Sequence, residues 1–217
     1  MITLAIDTST SQGAVALLDD DRPMAEEHFG RDGLFDAIAR LPLDRFDRLV
    51  VGVGPGSFTG IRAGIAAAKG LALPQSVPIC AVSSFAALAL TALPKLPGDC
   101  RQLCVIGDAR RGEIYFARYD QTGQPVGECR IGTVESLARE LQEPTWFVSA
   151  EIGRYADPLH SLGVVCSQPV FPSATVLGRL GERPVPPLPL EPIYLRAAEY
   201  RQLPAQPGIG KLPPQFG

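Results

Sequence analysis

One stretch of the sequence, from Leu49 to Leu73, constrains the fold more than any other. It reads LVVGVGPGSFTGIRAGIAAAKGLAL. Its first residues, rich in valine and followed by the turn GPG, predict a strand that is covered on both faces in a parallel sheet. The turn leads directly into a helix, and the hydroxyl of either Ser57 or Thr59 can cap the first free amides of that helix.

A strand, a glycine turn and a helix N-terminus together make a common setting for anion binding, so the turn has to be compared with known phosphate loops. The glycines at 52, 54, 56 and 60 do not fit G-x-G-x-x-G, and no G-x-x-x-x-G-K-[ST] can be drawn because Lys69 precedes Gly70. Pro55 also removes one amide donor from the turn. The turn therefore gives only weak support for phosphate binding.

The predicted helix from Phe58 to Leu73 is apolar on almost every side. Its only charged residues are Arg62 and Lys69, and it contains no acid. Small residues recur four positions apart along it, a spacing that lets another backbone approach closely. One interpretation is a helix buried within its own domain, as all-round apolar helices usually are. The other is that one face covers the sheet while another face binds a partner protein.

The composition excludes several classes of protein. The 217 residues carry a formal net charge of -3 and are 46% apolar, which is ample for a core but gives no basic surplus for binding nucleic acid unaided. Five cysteines without CxxC spacing predict free thiols in a reducing compartment. We see neither a charged leader nor an apolar run long enough to span a membrane. We expect a cytoplasmic protein that does not bind membranes.

The first predicted strand ends in an acid that is followed by a turn rich in hydroxyls. Residues 2–7 read ITLAID, residues 8–11 read TSTS, and GAVALL at 13–18 predicts a returning strand. This order resembles the phosphate-binding hairpin of the actin, Hsp70 and sugar-kinase superfamily. A turn closed by purely local hydrogen bonds needs the same residue types, so a structural role for Asp7, Thr8 and Ser9 stays open.

The second half of the sequence repeats the order of the first. LCVIGD at 103–108 predicts a strand that ends in an acid, and EIYFARY at 113–119 predicts its returning partner. The match indicates an internal duplication in which Arg110 and Arg111 replace the hydroxyls of the first turn. Prolines and a glycine at 94–98 mark the boundary. We predict lobes at 1–98 and 99–189, a segment at 190–203 that packs back on the first lobe, and a mobile tail at 204–217.

Four motifs in this order resemble one known family. They are LAIDTST near the start, then GVGPGSFTGIRAGIAAAKGLAL, GDARRGEIYFARY and finally PIYLR. Together they resemble the family of the bacterial tRNA threonylcarbamoyladenosine biosynthesis protein TsaB, also named YeaZ. The motifs span nearly the whole chain, and GPGSFTGIR is highly specific.

The resemblance implies an α/β fold of the actin-like (ASKHA) superfamily, with two RNase H-like lobes of mixed sheets flanked by helices. It implies a non-catalytic scaffold that requires no cofactor. Relatives pair with the similar but catalytic subunit TsaD and with the ATPase TsaE. The complex moves a threonylcarbamoyl group from its adenylate onto N6 of adenosine 37 in tRNAs that read codons starting with A. The chain would then meet tRNA only through the complex.

The resemblance also assigns residues. The motif GPGSFTGIRAG corresponds to the family's subunit-contact helix, and on it we predict the partner-binding residues Phe58, Gly60, Ile61, Arg62, Gly64, Ile65, Ala68 and Lys69. The three residues Asp7, Thr8 and Ser9 match the family's remnant nucleotide-binding motif. The resemblance leaves open whether ATP or ADP binds at the cleft or at the subunit interface. It also leaves open whether the isolated chain forms a homodimer. We predict no catalytic residue and no metal site, since the H-x-x-x-H pair of TsaD is missing.

Two features depart from the family pattern. TsaB proteins usually carry a histidine followed by Ser or Thr and then a long helix ahead of the central strand. Here His28 is followed by Phe-Gly, and the helix predicted for residues 33–41 is cut short by Pro42. This element normally shares the subunit interface, so the geometry of pairing is open. The tail beyond Tyr200 is also unusually rich in proline.

An enzymatic function is the alternative to the scaffold role. The hairpin at Asp7 would also suit a weak ATPase or a small-molecule kinase of the same superfamily. Such an enzyme needs an acid near the attacking hydroxyl and charged groups that neutralise the phosphates. The second lobe offers Asp108 with Arg110 and Arg111 beside it. The scaffold interpretation predicts negligible nucleotide turnover by the chain alone, whereas the enzyme interpretation predicts turnover that depends on Asp7.

Overall fold

The structure is a computed structural model that describes residues 1–30, 32–181 and 188–195. Five strands form the first sheet in the order β3-β2-β1-β4-β5. Strands β1, β2 and β3 are antiparallel neighbours, while β4 and β5 continue the sheet parallel to β1. Their bounds are Ile2–Asp7 (β1), Gly13–Asp19 (β2), Arg22–Phe29 (β3), Arg48–Gly52 (β4) and Ile79–Val82 (β5).

The second sheet has the same plan as the first. Its order is β10-β9-β6-β7-β8, with antiparallel neighbours on one side of β6 and parallel neighbours on the other. The predicted duplication therefore extends to the order of the strands. The bounds are Gln102–Arg110 (β6), Glu113–Asp120 (β7), Arg130–Gly132 (β8), Thr145–Val148 (β9) and Val164–Val165 (β10).

The helices form three layers around the two sheets. Helices α1 and α2 cover one face of the first sheet, α3 and α6 lie on its other face, and α4 and α5 cover the far face of the second sheet. Their bounds are Leu34–Arg40 (α1), Phe58–Ala72 (α2), Ser84–Ala92 (α3), Val134–Glu140 (α4), Ala156–His160 (α5) and Ala174–Leu180 (α6).

The alternation of side chains along β1 explains how helices pack on both faces of the first sheet. Leu4 and Ile6 point into the core beneath α1 and α2, while Ala5 points to the opposite face. That opposite face is lined largely by alanine, which lets α6 pack so closely that a Cβ at Gly178 would crowd Ala5 and Leu18. Small and large residues therefore set the spacing of the layers on the two faces of the sheet.

Helix α3 lies between the two sheets. Ala87 faces the first sheet, whereas Phe85, Leu88 and Ala89 belong to the core that includes Leu103 of β6. A helix in this position needs apolar side chains on two sides, and all of these residues are buried. Helix α3 is thus the main connection between the two halves of the molecule.

Helix α6 falls within residues 99–189, the range predicted for the second lobe, but it packs on the first sheet. Glu26 of β3 fixes its N-terminus by accepting a hydrogen bond from Ala174 N at 2.8 Å and another from Ser173 Oγ at 3.1 Å. The domain bounds remain a prediction. Leu190 and Ile193 lie against the core beneath α2, while residues 196–203 and the predicted mobile tail at 204–217 fall outside the described residues.

Candidate functional site

The turn after β1 holds a buried carboxyl group. The side chain of Asp7 is 1% exposed, and its Oδ1 accepts hydrogen bonds from Ser9 N at 2.8 Å and from Ser9 Oγ at 2.6 Å. Burial raises the pKa of Asp7, and the hydroxyls of Ser9 and then Ser84 oppose part of that rise. Among the described residues Oδ2 finds no well-formed hydrogen bond. The site therefore disfavours the charged form of this carboxyl relative to that of an exposed aspartate.

Helix α2 closes over this turn through close backbone contacts. The Thr8 hydroxyl donates to the carbonyl of Gly60 at 2.8 Å, and the amide of Ser57 donates to the carbonyl of Ser9 at 2.7 Å. A Cβ at Gly60 would collide with the Thr8 carbonyl, and one at Gly64 would collide with the Thr8 hydroxyl. Gly60 and Gly64, which are spaced four apart, thus serve a contact inside the chain.

The turn between β4 and α2 is held on its other side by α3. The amide of Gly54 donates to Ser84 Oγ at 3.1 Å, and the amide of Ser84 donates to the carbonyl of Gly54 at 2.9 Å. The Gly54-Pro55 peptide bond is cis. Ser57 caps α2 by accepting from the amide of Gly60 at 3.2 Å, so of the two caps left open by the sequence the structure selects Ser57.

These contacts leave the predicted nucleotide-binding residues closed to the surface. Asp7, Thr8 and Ser9 are all buried, and the hydroxyls and carbonyls that bond the turn are satisfied by α2 or by the turn itself. A phosphate group needs amides and hydroxyls that point into open space. The turn connects β1 to α2 and α3 through hydrogen bonds. This is a structural role, the alternative to phosphate binding that the sequence also allowed.

The residues predicted to bind a partner lie on two different faces of α2. Ile61, Gly64, Ile65 and Ala68 point into the chain and are buried, so they offer a partner little surface, and their role in binding one stays a prediction. Their exposed neighbours form a continuous outward face, because the helix repeats every 3.6 residues. The exposed members of the predicted set are Phe58, Arg62 and Lys69, and Gly60 is half-buried.

The outward face of α2 borders an apolar groove against α1. The groove encloses about 520 Å³, and Phe35 of α1 stands beside it with 63% of its surface exposed. The floor consists of small α2 residues that the sequence analysis had counted only as a close-packing ridge. We call this the α1–α2 groove; it is lined by Asp32, Leu34, Phe35, Ala63, Ala66, Ala67, Gly70 and Leu71.

On its other side α2 is flanked by segment 188–195. The amide of Ile193 donates to the carbonyl of Val53 at 2.9 Å, and Arg62 Nε donates to Tyr194 Oη at 2.8 Å. The sequence predicts that residues 190–203 pack back on the first lobe, but it does not single out Tyr194. Only the motif PIYLR gave a signal, because a contact across 132 positions leaves no local pattern.

The corresponding turn in the second lobe is organised differently. Asp108, with only 8% of its side chain exposed, pairs with Arg154 at 2.6 Å and with Arg110 at 3.1 Å. Burial first, and then the Asp108 carboxylate, raise the pKa of Tyr155 to about 12. The sequence analysis identified Asp108 and Arg110 but missed Arg154 and Tyr155. In this lobe the acid joins β6 to the segment before α5 through ion pairs.

Comparison with known proteins identifies the family of this chain. The family model described as "TsaD: tRNA N6-adenosine threonylcarbamoyltransferase" matches residues 36–152. The chain is 40% identical over 140 residues to the tRNA threonylcarbamoyladenosine biosynthesis protein TsaB of Escherichia coli and 37% identical over 131 residues to that of Bacillus subtilis. The chain belongs to the TsaB (YeaZ) family.

The sequence matches to the TsaB family are partial in length. They cover 59% of this chain and 60% of the E. coli relative, and 55% of each sequence for B. subtilis. The match to a solved structure is more extensive: YeaZ from Pseudomonas aeruginosa superposes with a TM-score of 0.72 at 26% identity, covering 89% of this chain and 99% of that one. The predicted α/β fold, with two lobes of mixed sheets flanked by helices, is confirmed and is the fold of YeaZ.

None of the helices in the described part of the chain is both long and apolar enough to span a bilayer.

Proposed function

We propose that this chain is a scaffold subunit of the machinery that makes threonylcarbamoyladenosine in tRNA, and that it binds a catalytic subunit instead of performing chemistry itself. The names of the E. coli and B. subtilis relatives support the pathway. The product would be N6-threonylcarbamoyladenosine at position 37 of tRNAs that read codons starting with A. The chain would work in the cytoplasm and meet tRNA only as part of the complex.

The catalytic subunit proposed as partner is TsaD, with the ATPase TsaE as a further component. A family model of TsaD matches more than half of this chain, which supports a common fold for the two proteins. Two related chains can pair through equivalent faces in a nearly two-fold arrangement, because such a face is self-complementary. A homodimer of this chain in isolation would use the same face and would compete with TsaD.

The closed turn at Asp7 is the main observation that supports a non-catalytic role for this chain. A phosphate site of the actin-like kind needs an open turn and an ionised acid near a metal-bound water. Here the acid is 1% exposed, α2 bonds directly to the turn, and burial raises the pKa of the carboxyl. Each of these three features disfavours a bound nucleotide and its metal ion at Asp7.

The outward face of α2 supports binding of a partner. It contains small residues next to an exposed aromatic ring, and a groove of about 520 Å³ separates α2 from α1. Grooves of this kind receive the apolar side of a helix from another chain. The face that docks is therefore the exposed one, which includes Ala63, Ala66 and Gly70, and the buried residues support it from beneath.

Reconstitution tests this function against the enzyme alternative. Purified TsaD and TsaE are mixed with tRNA and threonylcarbamoyl adenylate, with and without this chain, and the modified nucleoside is measured by mass spectrometry. We expect product to depend on the chain, and we expect the chain alone to show negligible ATP hydrolysis. Metal-dependent hydrolysis by the chain alone that Asp7→Ala abolishes would establish the ATPase or kinase alternative instead.

A further inference from the structure

Arg62 on the outward face of α2 contacts two neighbouring aromatic rings, whose centres lie 5.8 Å apart. Its guanidinium carbon lies 3.9 Å from the ring centre of Phe58 and 5.8 Å from that of Tyr194. Its Nε donates to Tyr194 Oη at 2.8 Å. Stacking and the hydrogen bond together fix the plane of the guanidinium before any ligand arrives. Phe58 and Tyr194 remain 55% and 51% exposed, so the cluster lies at the surface.

The guanidinium of Arg62 has more N–H donors than it uses within the described residues. A guanidinium carries five N–H donors, and within residues 1–30, 32–181 and 188–195 Arg62 forms no ion pair and only the one hydrogen bond to Tyr194. The two Nη groups form a planar fork that matches the two oxygens of a carboxylate. A fork fixed in this way loses little rotamer entropy when it binds.

A groove lies between α2 and segment 188–195 beside this fork, and we call it the Arg62 groove. It encloses about 270 Å³. Its lining combines the apolar side chains of Ile65, Leu190 and Pro192 with the charged side chains of Arg62, Lys69 and Glu191. Among the described lining residues, two cations against one acid give the groove a positive surplus. The groove thus offers a positively charged anchor above an apolar surface.

We propose that the Arg62 groove binds an acidic side chain, flanked by apolar residues, from the protein partner of this chain. This inference rests on the proposed function and names the chemistry of the partner's contact. Arg62 binds the carboxylate through both Nη groups, and Tyr194 is a positioning residue that acts through Arg62. Arginine and aromatic residues that are already ordered and desolvated on one side are typical anchors of protein interfaces. Segment 188–195 is therefore part of the binding surface.

The test measures the affinity of the full chain for purified TsaD by calorimetry at low and high salt. Arg62→Gln removes the charge, Arg62→Lys keeps the charge without the fork, and Tyr194→Phe keeps the ring without the hydroxyl. We expect losses of about tenfold or more for Arg62→Gln, nearly as much for Arg62→Lys, and about threefold for Tyr194→Phe. The salt dependence should be weaker for Arg62→Gln. The control Arg139→Gln, an exposed arginine on α4, should stay within about twofold.

The possible results separate this inference from the proposed function. If the unaltered chain does not bind TsaD, the proposed function is wrong and the inference with it. If the unaltered chain binds and Arg62→Gln binds within about twofold of it, only the inference is overturned. The inference is also overturned if Arg62→Gln loses ATP binding but not TsaD binding, or if it only dissolves a homodimer of the chain. Thermal melting of each variant shows that the fold is intact.

Discussion

Gly64 of α2 lies directly against Thr8 of the turn after β1, leaving no room for a Cβ between the helix and the Thr8 hydroxyl. Thr8 cannot turn away without giving up its 2.8 Å hydrogen bond to the carbonyl of Gly60. The same helix is exposed on its other side at Ala63 and Ala66. Helix α2 therefore has two different faces: its inner face closes the turn after β1, and its outer face is exposed.

This relationship predicts opposite effects for two glycines of α2. Gly64→Ala should destabilise the fold by about 1 to 3 kcal/mol, because the added methyl overpacks the contact with Thr8. Gly70→Ala should stabilise it by about 0.5 to 1 kcal/mol, because alanine is the better helix former and a Cβ there meets nothing within 4 Å. Urea unfolding of both variants measures the difference. Equal stability of the two variants would show that Gly64 is not packed as described.

The buried carboxyl of Asp7 predicts a pH dependence of stability. Burial raises its pKa above the ordinary value of 3.8, so the folded chain holds this proton more tightly than the unfolded chain. The contribution of the group to stability is full below the ordinary value and is lost as pH rises through the raised pKa. Asp7→Asn keeps an acceptor for Ser9 and carries no charge.

Asp7→Asn should therefore be more stable than the unaltered chain by about 1 to 3 kcal/mol, and the difference should grow as pH rises from the ordinary pKa of aspartate to the raised pKa of Asp7. Urea unfolding at a series of pH values measures this, with Asp44→Asn, at an exposed position before β4, as the control. Parallel stability profiles for Asp7→Asn and the unaltered chain would mean that the carboxyl is not desolvated in the folded state.

The N-terminal cap of α2 predicts different losses of folding stability for two hydroxyl residues. From the sequence alone, either of them could have been the cap. Ser57→Ala should cost about 1 kcal/mol of folding stability, because the Ser57 side chain accepts from the amide of Gly60. Thr59→Ala should change stability by less than about 0.5 kcal/mol, since Thr59 is an exposed residue inside the helix. Thermal unfolding of both variants provides the comparison, and a larger loss for Thr59→Ala would contradict the assigned cap.

Much of the fold could be predicted because its signals are local. Runs such as ITLAID and GAVALL are continuous and apolar, and the repeat of this order at 103–119 revealed the duplication. The strands predicted at 2–7 and 13–18 and the helices predicted at 33–41 and 58–73 are present within a residue or two of those bounds. Strands β8 and β10 and helix α5 were missed, since each is five residues or fewer and a short element carries too little periodicity to detect.

The site was predicted less well because its contacts connect distant parts of the chain. The spacing of small residues on α2 correctly indicated close packing, but it could not tell the inner face from the outer one. That choice depends on Thr8, which lies 52 positions from Gly60. The positions of Tyr194 beside Arg62 and of α6 on the first sheet likewise depend on long-range packing, which no local pattern encodes.

The central claim is that the outward face of α2 binds TsaD, and Ala66→Arg tests it most directly. Ala66 is exposed and lines the α1–α2 groove, so an arginine there should leave the fold intact while filling the space that a partner helix would occupy. Gln142→Arg adds the same charge at an exposed site in the second lobe and serves as the control.

The decisive measurement is the molar mass of each variant mixed with TsaD, determined by light scattering during size-exclusion chromatography. The unaltered chain and Gln142→Arg should elute with TsaD as a heterodimer, while Ala66→Arg should elute as separate proteins with an unchanged melting temperature. A heterodimer that Ala66→Arg forms as readily as the unaltered chain would contradict the account.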